Sequence, residues 1–180
     1  MPIATSDIAL NYSVSSATAG NTTAGTPASS LGGYLSTTAM PDAVLQNLFP
    51  DVTGDENATQ HVDYKCVFVV NNHATLTWQR VVIWISSEVA GGANIAYAAD
   101  GKGQVPKASA ALQGASIPNK DTAPTAVSAF QTGTSKATGL PIGDIPPGAC
   151  LGVWLRRTDT NSAAQYNDGV SIRIEGDTSQ

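Results

Sequence analysis

Few side chains in this sequence suit nucleophilic or metal chemistry: His61 and His73, and the thiols Cys66 and Cys150. A nucleophile needs a base beside it and a third group to orient that base. His61 stands just before a β-forming run and His73 falls in a turn-like Asn71-Asn72-His73 triplet, so neither is placed to serve Cys66, which alternation puts among core residues. Gly-x-Ser-x-Gly, His-Glu-x-x-His, a phosphate-cradling glycine loop and a dinucleotide fingerprint are all missing. The expectation is a protein that is not an enzyme and uses no cofactor.

One stretch has the oxygen chemistry of a hard-cation site. "DVTGDEN" offers Asp51, Thr53, Asp55 and Asn57 at alternate positions, with Glu56 adjacent. Calcium loops use such alternation, but they need glycine at the sixth position and a bidentate Glu at the twelfth, and neither is present. Asp51, Asp55 and Asn57 are therefore a weak metal candidate, and a solvated acidic turn is the expected state. Three tryptophans could stack on sugar rings. Trp84 and Trp154 fall mid-strand, so Trp78, beside Gln79 and Arg80, is the better exposed platform. Arg156 and Arg157 beside Trp154 have the composition of an interface anchor.

These residues must be positioned by β-structure. Hydrophobic residues make up 42% of the chain but charged ones only 13%, and Ser, Thr, Ala and 17 Gly fill the difference, a mixture that forms turns and extended chain. Strands are expected at 5–14, across "HVDYKCVFVVNN" and "ATLTWQRVVIWISS" (paired as a hairpin through Asn71–His73), weakly at 94–99 and near 126–130, at 149–158, and across "VSIRIEG" after an Asn167-Asp168-Gly169 turn. "MPDAVLQNLF", 40–49, carries apolar residues at helical spacing behind Pro41 and Asp42, which predicts one short helix. The predicted fold is all-β: an antiparallel β-sandwich or jelly roll with an extended N-terminal arm. Residues 1–39 form a strand and that arm; 40–180 form one sandwich domain with a long loop excursion at about 100–135.

The arm poses a physical problem. "SSATAGNTTAGTPASSLGG", 15–33, holds a single large apolar side chain, Leu31, too little burial to offset its ordering entropy. Contacts from neighbouring chains are the expected remedy, so removal of 1–33 is expected to leave the sandwich folded. The two thiols are expected to face different layers and stay unpaired. A net charge of −5 with scattered basic residues excludes a phosphate-binding surface, so nucleic acid is not an expected partner. No apolar run is long enough for a membrane span, and the N-terminus lacks the pattern of a secretory leader.

Several blocks carry a resemblance: "NLFPDVTGDE", "DYKCVFVVNNHATLT", "VVIWISS", "KATGLPIGDIPPG", "VWLRRT" and "YNDGVSIRIEGDT". In this order, over most of 47–178, the chain resembles a group of small virion structural proteins of tailed bacteriophages. The resemblance implies a capsid decoration (cement) protein, located in the virion and assembled in the host cytoplasm. Its implied partners are the major capsid protein and copies of itself, a homo-oligomer with a trimer among the orders considered. A tail, neck or baseplate adaptor is the alternative, and a glycan- or receptor-binding module the alternative from another class. The interface residues expected from arm, excursion and strand face are Leu31, Tyr34, Lys107, Phe130, Trp154, Arg156 and Arg157.

Overall fold

The computed structural model describes residues 2–162 and 168–178; the predicted turn residue Asn167 lies outside them. Two antiparallel sheets make a β-sandwich. After a short 3-10 turn at Thr5–Asp7 come β1 (Ile8–Val14), β2 (Tyr34–Ala39), α1 (Gly54–Thr59), β3 (Val62–Asn71), β4 (Trp78–Glu88), β5 (Asn94–Ala99), β6 (Val105–Pro106), β7 (Leu140–Ile145), β8 (Ala149–Thr158) and β9 (Val170–Thr178). The larger sheet runs β2-β1-β3-β8-β5, with β6 also on β8; the smaller runs β7-β4-β9.

Alternation explains the layers. Val67 and Val69 of β3 and Leu151, Val153 and Leu155 of β8 point inward, where they meet Val81, Ile83 and Ile85 of β4 and Ile142 and Ile145 of β7. The opposite face of β3 and β8 carries Cys66, Phe68, Cys150 and Trp154. These pack with Leu35, Ala98 and Ile117 into a second cluster, joined by half-buried Leu31, Tyr64, Val127 and Phe130. The larger sheet is thus apolar on both faces. The smaller sheet covers one, and the low-complexity segments 15–33 and 100–131 cover the other.

Four expectations are corrected. Residues 40–49 form no helix: Ala43 (φ 54°) and Gln46 (φ 57°) are left-handed, which breaks any helical run. Tertiary contacts fix this loop instead, since the Tyr12 hydroxyl donates to the Asn47 carbonyl (2.7 Å) and Asn47 Nδ2 to that of Pro41 (2.8 Å). The helix lies at 54–59, where the acidic turn was expected. There Thr53 Oγ1 accepts from the Glu56 amide and Glu56 Oε2 from the Thr53 amide, the reciprocal bonds of a capping box.

The Asn71–His73 turn joins two sheets, so β3 and β4 are not a hairpin. Fully buried Asn71 stabilises the crossing by donating to the carbonyls of Leu76 and Ile145, both at 2.9 Å. The cysteines are free, as expected, but for a different reason: both lie in the outer cluster. Cys66 pairs in register with Trp154 and Cys150 with Val70, four residues along β3. That is about 13 Å of strand, beyond disulfide reach.

Candidate interaction face

The covering segments are held by their own chain. Gln113 is fully buried; its Oε1 accepts from the Leu35 amide (2.7 Å) and its Nε2 donates to the Pro106 carbonyl (2.7 Å). One carboxamide thereby joins β2, β6 and the excursion. Backbone bonds extend the seam, from Gly20 N to Ser109 O, Gly33 N to Ala115 O and Ile117 N to Leu31 O. The arm also reaches the sheet, because the Cys66 amide donates to Ser30 O and Ser13 Oγ donates to Cys66 O. The contacts assigned from sequence to other chains are therefore internal. Nor does the arm stand apart from the sandwich, since β1 lies between β2 and β3.

Asp100 is the second pin. Its Oδ2 accepts from the Trp154 indole (2.9 Å) and the Ala115 amide (2.7 Å), and its Oδ1 from the Lys102 amide (2.9 Å). Trp154 is completely buried, which corrects its assignment to an exposed interface. Trp78 and Trp84 are each only 6% exposed, so Trp78 is no platform for a sugar. Trp84 lies under the Arg173 guanidinium, 5.9 Å from its ring.

The remaining predicted interface residues are dispersed. Tyr34 is half-buried on β2, its hydroxyl 3.5 Å from the Ala110 carbonyl. Lys107 donates to Asn72 Oδ1 at 2.9 Å, by the sheet crossing. Phe130, Arg156 and Tyr64 do come together: the guanidinium sits 5.1 Å from the Phe130 ring centre, and the two rings lie 5.8 Å apart. Arg157 points the other way and is buried. It pairs with Asp63 Oδ2 (2.5 Å), donates to the Pro50 carbonyl and stacks on Phe49 at 5.0 Å.

Asp63 is the hub of a charged cluster that spacing did not reveal. Fully buried, it also accepts from Lys120 Nζ (2.6 Å), which contacts Glu56 Oε1 (3.2 Å) and Asp121 Oδ1 (3.4 Å). His61 Nε2 lies 3.1 Å from Asp63 Oδ1 and 2.9 Å from Asp121 Oδ1. Among the described residues, His61, Asp63 and Asp121 are the one set close enough to share a metal ion. The Lys120 ammonium, however, already sits among their oxygens, a fixed cation where a metal would stand. The predicted metal candidates do not form a site: Asp51 accepts from Gln46 Nε2, Asp55 is exposed in the first turn of α1, and Asn57 donates to the Asn161 carbonyl.

Hydrogen bonds from Thr53, backbone and hydroxyl, together with the Lys120 ammonium hold the Glu56 carboxyl at about 2. Burial alone would lower Lys120, but Asp63, Glu56 and Asp121 outweigh it and raise the ammonium above its ordinary value. Asp159 is pushed up by burial, only partly offset by Arg157. Burial likewise raises Cys150 to about 12 and Cys66 well above its ordinary range, which leaves both thiols inert at neutral pH.

The surface concavity lies beside this cluster. An open cleft of about 510 Å³ is walled by Pro27, Leu31, Leu48, Pro50 and Pro118, with Lys65 and Lys120 reaching into it. Gln46 is among its lining residues, and the two residues before it in the chain, Leu45 and Val44, are 67% and 52% exposed. Among the described residues, Leu112 is the only other large hydrophobic left so open. The exposed Val44–Leu45 tip thus adjoins the cleft through Gln46, held between left-handed Ala43 and Gln46. The helical reading of 40–49 concealed it, since it counted Val44 and Leu45 with Leu48 and Phe49 in one helical spacing. Comparison with protein-family models, with curated proteins and with solved structures yields no match.

Proposed function

We propose that this protein is a virion structural protein that decorates a capsid shell and stabilises it by contact with neighbouring subunits. The observation that carries the reading is the Val44–Leu45 tip beside its apolar cleft, on a surface otherwise poor in charge. Such a surface loses little on desolvation when another protein covers it. The resemblance of its sequence blocks to small virion proteins of tailed phages agrees with a role that rests on contact. So does the body beneath: two low-complexity segments are folded onto the sheet by Gln113 and Asp100, so docking need not pay for ordering them. Modest contacts repeated over a shell add through effective concentration.

Copy number tests the proposal. Purified particles are analysed by quantitative mass spectrometry against the major capsid protein. A ratio approaching one-to-one is the expected result. A few copies to a few dozen would move the protein to the tail, neck or baseplate, and absence from particles would overturn a virion role.

A further inference from the structure

Lys65 is an unusual residue to find in the lining of an apolar cleft. The residue is only 4% exposed, yet it belongs to the cleft lining. The ammonium makes a single hydrogen bond, to the Pro27 carbonyl at 2.7 Å, and no ion pair among the described residues. Two of its three protons are thus left without a protein acceptor. Burial pulls its pKa down, with Asp63 only partly restoring it. Lys120, the other cation of the lining, already has three carboxylates around it. A buried ammonium without a counter-ion is costly unless a partner supplies one.

The complementary chemistry lies next to the same cleft, in the residues that lead into its lining residue Gln46. The projecting segment Asp42-Ala43-Val44-Leu45 has one charge, the Asp42 carboxylate, followed by two exposed aliphatic side chains. The cleft lining has two charges, both positive, set among prolines and leucines. Apolar tip matches apolar wall, and acid matches unpaired ammonium.

We propose that a second copy of this chain docks here, each copy inserting its Asp42–Leu45 tip into the other's cleft with Asp42 facing Lys65. Tip and cleft are adjacent on one patch, so a two-fold axis brings both pairs together at once, as an isologous contact requires. The pairing rests on reading this face as a docking surface and does not depend on which particle holds the protein.

The test uses the full chain in isolation. Sedimentation equilibrium is measured on the wild type and on Leu45→Asp and Asp42→Asn, both changes at exposed positions that spare the core. The wild type is expected at the mass of two chains, with association weakened at least roughly tenfold by either change. In parallel, Leu45→Cys is mixed under oxidation with a protein carrying Ala28→Cys, at an exposed position of the cleft lining. A disulfide-linked heterodimer is expected in the mixture, and the native thiols are too buried to compete. A single-chain mass for the wild type up to roughly millimolar concentration would overturn the pairing. So would a two-chain mass indifferent to Leu45→Asp, and a three-chain mass would exclude the two-fold arrangement. Failure here leaves the copy number on particles untouched, and a failed copy count leaves this dimer standing.

Discussion

Gln113 and Gly20 form one structural unit. The Gln113 carboxamide satisfies the buried Leu35 N–H and also donates to the Pro106 C=O, and Gly20 lies so close that a Cβ there would overlap the carboxamide. Gln113→Ala leaves the Leu35 N–H unpaired, while the Pro106 C=O keeps the Ser109 N–H, so a loss of about 1–3 kcal/mol in urea unfolding is expected. Gly20→Ala is expected to destabilise by displacing the same amide. The double variant should then cost less than the sum of the two, because the methyl enters space that Gln113 has vacated. Strict additivity would show that the two residues do not act through one contact. Neither residue is marked by the sequence: a glutamine in a Gly/Ala/Ser-rich run looks solvated until the fold closes around it.

Among the elements, the strands were the most legible. Alternation and β-branched runs located β3, β4, β8 and β9 closely, because a strand's faces are written at period two. Connections were less so. "MPDAVLQNLF" has helical spacing but only two turns of it, and bonds from Tyr12 and within the loop prevail over so weak a local preference. The true helix was signalled by Thr53-x-x-Glu56, a capping pair that the alternating oxygens obscured. That pair, with Lys120, ties α1 and the excursion to β3 and gives a pH test. The Glu56 carboxyl is held at about 2, below its unfolded value, so its contribution is complete above the ordinary Glu range and is lost as pH falls through about 2. Wild-type stability is therefore expected to fall between about pH 5 and pH 2, and Glu56→Gln should remove part of that slope in acid titrations followed by circular dichroism. Lys120 has the opposite sign: its pKa is raised, so its contribution persists below the ordinary Lys range and is lost at still higher pH. Lys120→Met leaves Asp63 buried with only Arg157 and His61 beside it, and faster amide exchange is expected at Tyr64, whose N–H donates to the Lys120 carbonyl. Unchanged exchange there would separate the ion pair from the docking of the excursion.

At the scale of the whole molecule, the question is where the arm finds its stabilisation. Segment 15–33 buries almost nothing of its own, which made neighbouring chains the natural source of order when only the sequence was in view. In the fold it serves as cover: with the excursion it closes the outer face over Phe68, Cys66, Cys150 and Trp154, and the apolar surface it shields belongs to other strands. This arrangement reverses an expectation about truncation. Removing residues 1–33 takes away β1, which lies between β2 and β3, and uncovers the outer cluster as well. The truncated chain is expected to lose its near-ultraviolet circular dichroism and to aggregate through the exposed edge of β3. The intact protein, free of any particle, should protect the amides of Gly20, Gly33 and Cys66 from hydrogen exchange, since each donates across the seam between arm and body. A well-folded truncated protein, or an arm that exchanges freely until particles are added, would return its ordering to the neighbours. Protection in the free protein would mean that the chain reaches its docking surface already rigid, with the ordering cost met in folding and the binding energy left for contact.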